Sequence, residues 1–204
     1  MWKQIWRAAC AVLLGAMIVG CAAARPTPTP APEGVTVLEP PTRLADFTLT
    51  SSQNKPAHLS DWKGKAVLMS FGYTHCPDVC PVTLGRYKQV KAALGDSASQ
   101  VAFVFVSVDG ARDTPEVLAN YLGLFDKDFI GLTGDEPTLR NITKEYGATF
   151  SIEKKDPDQT DYTVAHTASW FLVDPKGNLS RVYAYDTQPE IAAADIKQVL
   201  SAKG

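Results

Sequence analysis

The chain has 204 residues, of which 45% are hydrophobic and 21% are charged, and its formal net charge is -2. These values are ordinary for one globular domain with a normal core. Nothing in them suggests nucleic acid as a partner, because a nearly neutral chain without a basic stripe exerts no long-range attraction on phosphate.

The first 20 residues resemble a bacterial lipoprotein signal peptide. A short positive region precedes the apolar stretch Ala8 to Gly20, and Ile18-Val19-Gly20-Cys21 closes it in the manner of a lipobox. The resemblance implies that residues 1–20 are removed and that Cys21 is lipidated, which would anchor the protein on the extracytoplasmic side of a membrane. The alternative is an uncleaved anchor, for which the apolar stretch is shorter than the roughly 20 residues that span a bilayer.

Residues 21–34 are predicted to form a tether between the lipidated cysteine and the domain. Proline occupies alternate positions from Pro26 to Pro32, a pattern that disfavours helix and sheet and favours an extended path. At roughly 3 Å per residue, such a segment would hold the domain up to about 30 Å from the lipid surface.

Residues 35–204 are predicted to form one α/β domain with a thioredoxin-like fold, in which helices flank a central mixed sheet and an N-terminal β-hairpin extends it. The predicted strands are Asp46 to Thr50, His58-Leu59, Ala66 to Tyr73, Val101 to Val108, Phe129 to Thr133, Thr149 to Ile152, Thr167 to Asp174 and Leu179 to Tyr185. The predicted helices begin near Pro81, Pro115 and Glu136, and the last one covers Ile191 to Leu200.

The stretch between the first central strand and the first helix carries the chemistry. Cys76 and Cys80 are four residues apart, about one helical turn, so their sulfur atoms can form a disulfide or share a metal ion. The helix is expected to begin at Pro81, with Cys80 as its N-cap, or at Pro77. In both cases the cysteines lie at a helix N-terminus, which favours the thiolate. Once residues 1–20 are removed and Cys21 is lipidated, they are the remaining thiols.

A histidine replaces the proline that a thioredoxin-type enzyme carries before its later hairpin. The stretch Asp161 to Trp170 contains His166 and no proline. If the fold is right, this turn packs against the cysteine loop, and His166 completes a three-coordinate site with Cys76 and Cys80. Two thiolates and one imidazole suit Cu(I), and additional ligands would allow Cu(II). Zinc fits less well, because structural zinc prefers four protein ligands.

Three segments together resemble the Sco/SenC family. They are Gly72 to Pro81, Val106 to Asp109 with Arg112 to Pro115, and Tyr162 to Thr167. Members of that family are thioredoxin-like, membrane-tethered copper proteins that help to assemble the CuA centre of cytochrome c oxidase. The resemblance implies that copper binds to Cys76, Cys80 and His166. The chain departs from the family pattern at Gly110, where proline is usual, and at Ala165, where aspartate is expected.

The leading hypothesis from the sequence is a non-catalytic copper chaperone for the oxidase subunit that carries the CuA site. Other periplasmic copper chaperones or thioredoxin-like reductases are further expected partners. The alternative is a thiol-disulfide oxidoreductase with Cys76 and Cys80 as the redox pair, for which His166 is not required. A structural disulfide is a weaker hypothesis, because it would close a very small loop. A thioredoxin-fold peroxidase is also weaker, because it needs an arginine beside the cysteine and the closest one in sequence, Arg86, lies a turn and a half into the helix.

Several other polar residues near these motifs have two interpretations. His75 could favour the thiolate of its neighbour or could be a solvated loop residue. Asp78 is interpreted as an acidic residue at the N-terminus of the helix, where the helix dipole favours it, rather than as a ligand. Asp109, Arg112 and Asp113 follow a central strand, so they belong either to a simple helix-entry loop or to the border of the site.

Overall fold

A computed structural model describes residues 31–202 of the chain. The predicted signal peptide, the predicted lipidation of Cys21 and most of the predicted tether lie outside the described residues. Among residues 31–202, none of the helices combines the length and the apolar character that a membrane crossing requires.

Eight strands form one mixed sheet, and two more form a separate antiparallel ribbon. The strands are β1 Val35–Arg43, β2 Thr48–Ser51, β3 Pro56–His58, β4 Ala66–Gly72, β5 Val101–Ser107, β6 Ile130–Thr133, β7 Phe150–Glu153, β8 Thr163–His166, β9 Trp170–Val173 and β10 Asn178–Tyr183. The order in the large sheet is β1-β10-β9-β4-β5-β6-β2-β3, and β7 pairs with β8 in the ribbon. In the large sheet, β4, β5 and β6 are parallel to one another, whereas the other pairings are antiparallel.

Four α-helices accompany the sheets: α1 Val79–Leu94, α2 Pro115–Gly123, α3 Glu136–Glu145 and α4 Pro189–Ser201. Tyr87 of α1 packs edge-on against Trp170 of β9 on one face of the sheet. Phe71 of β4 packs against Tyr146, at the end of α3, on the other face. Both faces of the central strands are therefore covered, which explains why every residue of β4 and β5 is buried.

The parallel arrangement of β4 and β5 positions the candidate site. Their registers match along their whole length, from Ala66 opposite Val101 to Gly72 opposite Ser107. The loops that follow both strands therefore leave the sheet at the same edge, where α/β proteins place their ligands. The ribbon ends at the same place, because His166, the last residue of β8, precedes the short link to β9.

The mixed α/β architecture and the cysteine loop after a central strand agree with the prediction. Three local features differ from the prediction. The first is β8, Thr163–His166, because the stretch that carries His166 was expected to be a turn. Helix α1 begins at Val79, so Cys80 lies inside its first turn, and Asp78 is the N-cap residue without a side-chain capping bond. In addition, β1 was not predicted, because its Pro-Pro sequence (Pro40 and Pro41) is unusual for a strand and is tolerated here at the edge of the sheet.

Candidate metal centre

The two cysteines of the loop after β4 have different environments. Cys76 is partly exposed in the loop, and its backbone N–H donates to the carbonyl of Tyr73 at 3.3 Å. Cys80 is 2% exposed because the first turn of α1 presses its side chain against the sheet. Neither cysteine is in a disulfide. Cys76 is thus the accessible thiol of the pair.

Gly72, the last residue of β4, leaves the space that the sulfur of Cys80 occupies. A Cβ atom at this position would lie 2.7 Å from Cys80 Sγ and 2.7 Å from the ring of Phe105. Side-chain carbon atoms do not approach sulfur so closely, so the glycine permits the helix to place Cys80 directly over the strand end. The role of Gly72 is not visible in the sequence, because it depends on a contact between segments that only the folded chain brings together.

The imidazole of His166 is oriented toward the cysteines. Its Nε2 atom lies 3.4 Å from Cys80 Sγ, although the two residues are 86 positions apart in the chain. Its Nδ1 atom lies 3.1 Å from the carbonyl oxygen of Thr167. Because a carbonyl can only accept a hydrogen bond, Nδ1 is the donor in this contact, and Nε2 is the ring nitrogen that faces the sulfur atoms and could bind a metal ion.

Among the described residues, Cys76, Cys80 and His166 form the one group of at least three cysteine, histidine or acidic side chains whose potential ligand atoms converge. Those three atoms all lie within 4.8 Å of one another. A metal ion between them would have two sulfur ligands and one imidazole ligand, a soft set that suits Cu(I).

The pKa values of the two cysteines are shifted in opposite directions. A hydrogen bond from Cys80 lowers the pKa of Cys76 to about 4, and the backbone N–H groups of Asp78 and Cys80 contribute to the same shift. The hydrogen bond with Cys76 and burial both raise the pKa of Cys80. At neutral pH the exposed Cys76 is therefore a thiolate and the buried Cys80 is the thiol that stabilises it.

Tyr73 connects the cysteine loop with the strand of His166. Its ring packs edge-on against the imidazole, with 5.9 Å between the ring centroids. Its hydroxyl group also interacts with the backbone N–H of Val164 in β8. The residue is 3% exposed, so these contacts are shielded from water. Tyr73 is therefore a buried neighbour of the candidate ligand.

Three further polar side chains, those of His75, Asp78 and His58, make no hydrogen bond to the sulfur atoms, although the backbone N–H of Asp78 donates to Cys76. The side chain of His75 is 53% exposed, and its Nδ1 lies 3.1 Å from Thr74 Oγ1 and 3.8 Å from Asp113 Oδ1. Asp78 is exposed at the start of α1. His58 lies on β3, at the far edge of the sheet, with its Nδ1 3.0 Å from Thr48 Oγ1.

The two departures from the family pattern have distinct surroundings. A Cβ atom on Gly110 would lie 2.0 Å from the carbonyl oxygen of Gly134, so the loop after β5 can approach the loop after β6 because position 110 has no side chain. Ala165 is exposed on β8 and pairs with Ser151 of β7. An acidic side chain at position 165 would therefore lie on the surface of the ribbon, next to His166.

Comparison with known proteins gives a consistent result. Residues 36–201 match the family described as SCO1/SenC. The chain is 31% identical to an SCO2-like protein of Rickettsia felis over 145 residues, which are 71% of each chain. It is 38% identical to the mitochondrial protein SCO2 of Saccharomyces cerevisiae over 132 residues, 64% of this chain but only 44% of the yeast protein.

A solved structure of similar fold is that of Bradyrhizobium japonicum ScoI with copper bound. It superimposes with a TM-score of 0.70 at 37% identity, covering 78% of this chain and 99% of the ScoI chain. The thioredoxin-like arrangement expected from the order of strands and helices is thereby confirmed.

Proposed function

Because this chain belongs to the SCO1/SenC family, we propose that it is a copper chaperone that binds the ion through Cys76, Cys80 and His166. The observation that carries the proposal is the convergence of two sulfur atoms and one imidazole nitrogen within 4.8 Å. The copper-bound state of the similar ScoI structure supports the choice of metal. The ion is the cargo of the protein, so the site must release it as well as hold it.

The arrangement of the site suits transfer of the ion by ligand exchange. Cys76 is the more accessible of the two cysteines and is already deprotonated, so an incoming copper ion meets a thiolate first. Cys80 and His166 then complete the coordination from the buried side. In the reverse direction, a recipient's own ligands replace the exposed sulfur first. We propose that the recipient is the CuA site of cytochrome c oxidase.

Anaerobic titration with Cu(I) in competition with a chromogenic chelator tests this function. The reduced protein should bind one Cu(I) ion per chain, and Cys76→Ala and Cys80→Ala should abolish tight binding. His166→Ala should weaken binding, whereas His58→Ala, which changes a histidine on the distant strand β3, should not. Reduced protein that fails to compete for Cu(I), or a His166→Ala variant of unchanged affinity, would contradict the proposal.

A second candidate function is thiol-disulfide exchange with the oxidase subunit or another exported protein. The unequal thiols favour it, because an exposed thiolate beside a buried thiol is the arrangement of a nucleophile and its resolving partner. Complementation of a deletion strain separates the two functions. The redox function is favoured if His166→Ala restores oxidase assembly while Cys76→Ala and Cys80→Ala do not.

The site would act close to a membrane. We propose that residues 1–20 are a signal peptide, that residues 21–34 are a tether beginning with lipidated Cys21, and that residues 35–204 are the copper-binding domain on the extracytoplasmic side. The N-terminal sequence pattern supports this organisation. Cys21→Ser should move the protein from the membrane fraction to the soluble fraction; an unchanged distribution would refute the lipid anchor.

A further inference from the structure

The loop between β5 and α2, Asp109 to Asp113, contacts both halves of the candidate metal centre. We propose that this loop is a positioning element, with one arm that holds the cysteine loop and a second arm that holds the strand carrying His166. We call it the positioning loop. The inference rests on the proposed copper site and assigns a role to residues that do not touch the metal.

The cysteine arm is the carboxylate of Asp113, which is fully buried. Its Oδ2 atom accepts hydrogen bonds from the backbone N–H of Thr74 at 2.9 Å and from Ser107 Oγ at 2.6 Å. Its Oδ1 atom accepts from Thr74 Oγ1 at 2.6 Å. Two of these three bonds hold Thr74, which precedes Cys76 by two residues. The carboxylate therefore fixes the path of the chain just before the first ligand.

The histidine arm is the pair of Asp109 and Arg112, which together hold Tyr162. The Tyr162 hydroxyl donates to Asp109 Oδ1 at 2.6 Å, and Arg112 Nε donates to Asp109 Oδ2 at 2.6 Å. The guanidinium group of Arg112 also lies 3.5 Å from the centre of the Tyr162 ring. Tyr162 directly precedes β8, so this arm fixes the start of the strand that ends at His166.

The position of His166 needs such support because β8, the strand that carries it, is not a strand of the large sheet. Strand β8 pairs with β7 in a ribbon that is separate from the sheet carrying the cysteine loop. No ladder of backbone hydrogen bonds therefore fixes β8 against β4. Apart from the short link to β9, its placement depends on side-chain contacts between the ribbon and the rest of the domain, among them Tyr162 with the positioning loop and Tyr73 with His166.

Burial of the two aspartates supports a specific role for the positioning loop. Asp109 is 1% exposed and Asp113 is fully buried, and an ionised carboxylate in such a place is costly unless strong donors satisfy it. The donors here come from the two segments that carry the metal ligands, together with Ser107 and Arg112. A loop that only led into α2 would need neither carboxylate to face those segments.

A matched pair of tyrosine variants tests the histidine arm. Tyr162→Phe removes one hydroxyl and leaves the ring against Arg112. Tyr183→Phe is the control, because the Tyr183 hydroxyl also donates to a buried aspartate, Asp195, at 2.7 Å, and that aspartate also pairs with an arginine. Both variants lose the same type of bond, but only Tyr162 lies beside β8.

We expect Tyr162→Phe to weaken Cu(I) binding about tenfold, the lower end of the effect of removing a partner that orients a metal ligand. Tyr183→Phe should leave the affinity unchanged at a comparable loss of thermal stability. In the His166→Ala background, Tyr162→Phe should have no further effect, because the residue acts through the histidine. Two results would overturn the role of this arm. One is an equal loss of Cu(I) affinity in both tyrosine variants, and the other is a tenfold loss caused by Tyr162→Phe in the His166→Ala background.

Thr74→Val tests the cysteine arm with a side chain of nearly the same shape. It removes the hydroxyl that donates to Asp113, so it should weaken Cu(I) binding, and the loss should persist in the His166→Ala background because it acts through the cysteines. An unchanged affinity, or a loss that disappears without His166, would overturn the role assigned to Asp113.

A measurement on the metal-free protein separates this inference from the copper function. The ring contact between Tyr73 and His166 should give cross-relaxation between their ring protons in NMR spectra of the reduced protein. Tyr162→Phe should weaken this contact, whereas Tyr183→Phe should preserve it. If the wild type fails to bind Cu(I), the proposed function is wrong, and the NMR comparison of the two tyrosine variants still tests the histidine arm. If the wild type binds Cu(I) but both variants keep the contact between Tyr73 and His166, the role of the histidine arm is wrong and the copper function stands.

Discussion

The sulfur of Cys80 occupies the space that a side chain on Gly72 would fill, since a Cβ atom on Gly72 would lie 2.7 Å from Cys80 Sγ. The contact joins the end of β4 to the first turn of α1 and brings the sulfur to 3.4 Å from His166 Nε2. The geometry of the metal centre therefore depends on the absence of a side chain at position 72.

Gly72→Ala is expected to displace Cys80 and to weaken Cu(I) binding. The added methyl group also meets the ring of Phe105 at 2.7 Å, so overpacking should reduce the free energy of unfolding by about 1–3 kcal/mol. Gly85→Ala is the control, because a Cβ atom there meets nothing within 4 Å and alanine favours a helix interior. Chemical denaturation and Cu(I) competition measure both effects, and a Gly72→Ala variant with wild-type affinity would contradict the prediction.

The alkylation rate of Cys76 should show an unusual dependence on pH. An ordinary thiol with a pKa of 9.0 loses about tenfold in rate for each pH unit below that value, because only the thiolate reacts. The pKa of Cys76 is lowered to about 4, so its rate with iodoacetamide should stay nearly constant from pH 9 to pH 6 and fall only as the pH approaches 4. A rate that rises steadily from pH 6 to pH 9 would be incompatible with this assignment.

Removal of the Cys80 thiol should raise the pKa of Cys76. The hydrogen bond from Cys80 is the largest cause of the lowered value, so Cys80→Ala should shift the lower edge of the alkylation plateau to higher pH. His75→Ala should leave that edge in place, because the His75 ring faces Thr74 and Asp113. The same iodoacetamide profile measures both variants.

The two cysteines should react with disulfides in a fixed order. Cys76 is partly exposed and deprotonated, whereas Cys80 is buried and protonated. A Cys80→Ser variant should therefore accumulate a mixed disulfide with a small aromatic disulfide reagent, and a Cys76→Ser variant should react at least tenfold more slowly. Mass spectrometry of the trapped adducts checks the order, which is refuted if both variants react at similar rates.

Bound Cu(I) should protect Cys76 from alkylation, and His166 should contribute to that protection. The thiolate that coordinates copper is no longer available as a nucleophile. At a fixed, subsaturating concentration of free Cu(I), the wild type should be alkylated more slowly than His166→Ala, whose site holds copper less tightly. Identical protection in the two proteins would argue against coordination by the histidine.

The sequence was sufficient to predict the central elements of the fold because their patterns are local. The apolar runs that became β4 and β5 contain one serine each and no charged residue. Thr114 and Asp135 cap α2 and α3 by accepting hydrogen bonds from Val117 and Thr138, as their positions before a helix suggested. The start of α1 was not predictable in the same way, because the packing of Cys80 against Gly72 competes with the preference of proline for the first helical position.

The sequence by itself identified the candidate ligand residues, since a Cys-x-x-x-Cys pair and a distant histidine can be recognised as motifs. Only the tertiary structure decided how they meet. The separate ribbon of β7 and β8 carries His166, and the carboxylates of Asp109 and Asp113 hold both sides of the site through contacts 53 and 39 residues apart in the chain. Such contacts leave no periodic pattern in a sequence, because each one depends on how segments distant in the chain pack together in the folded protein.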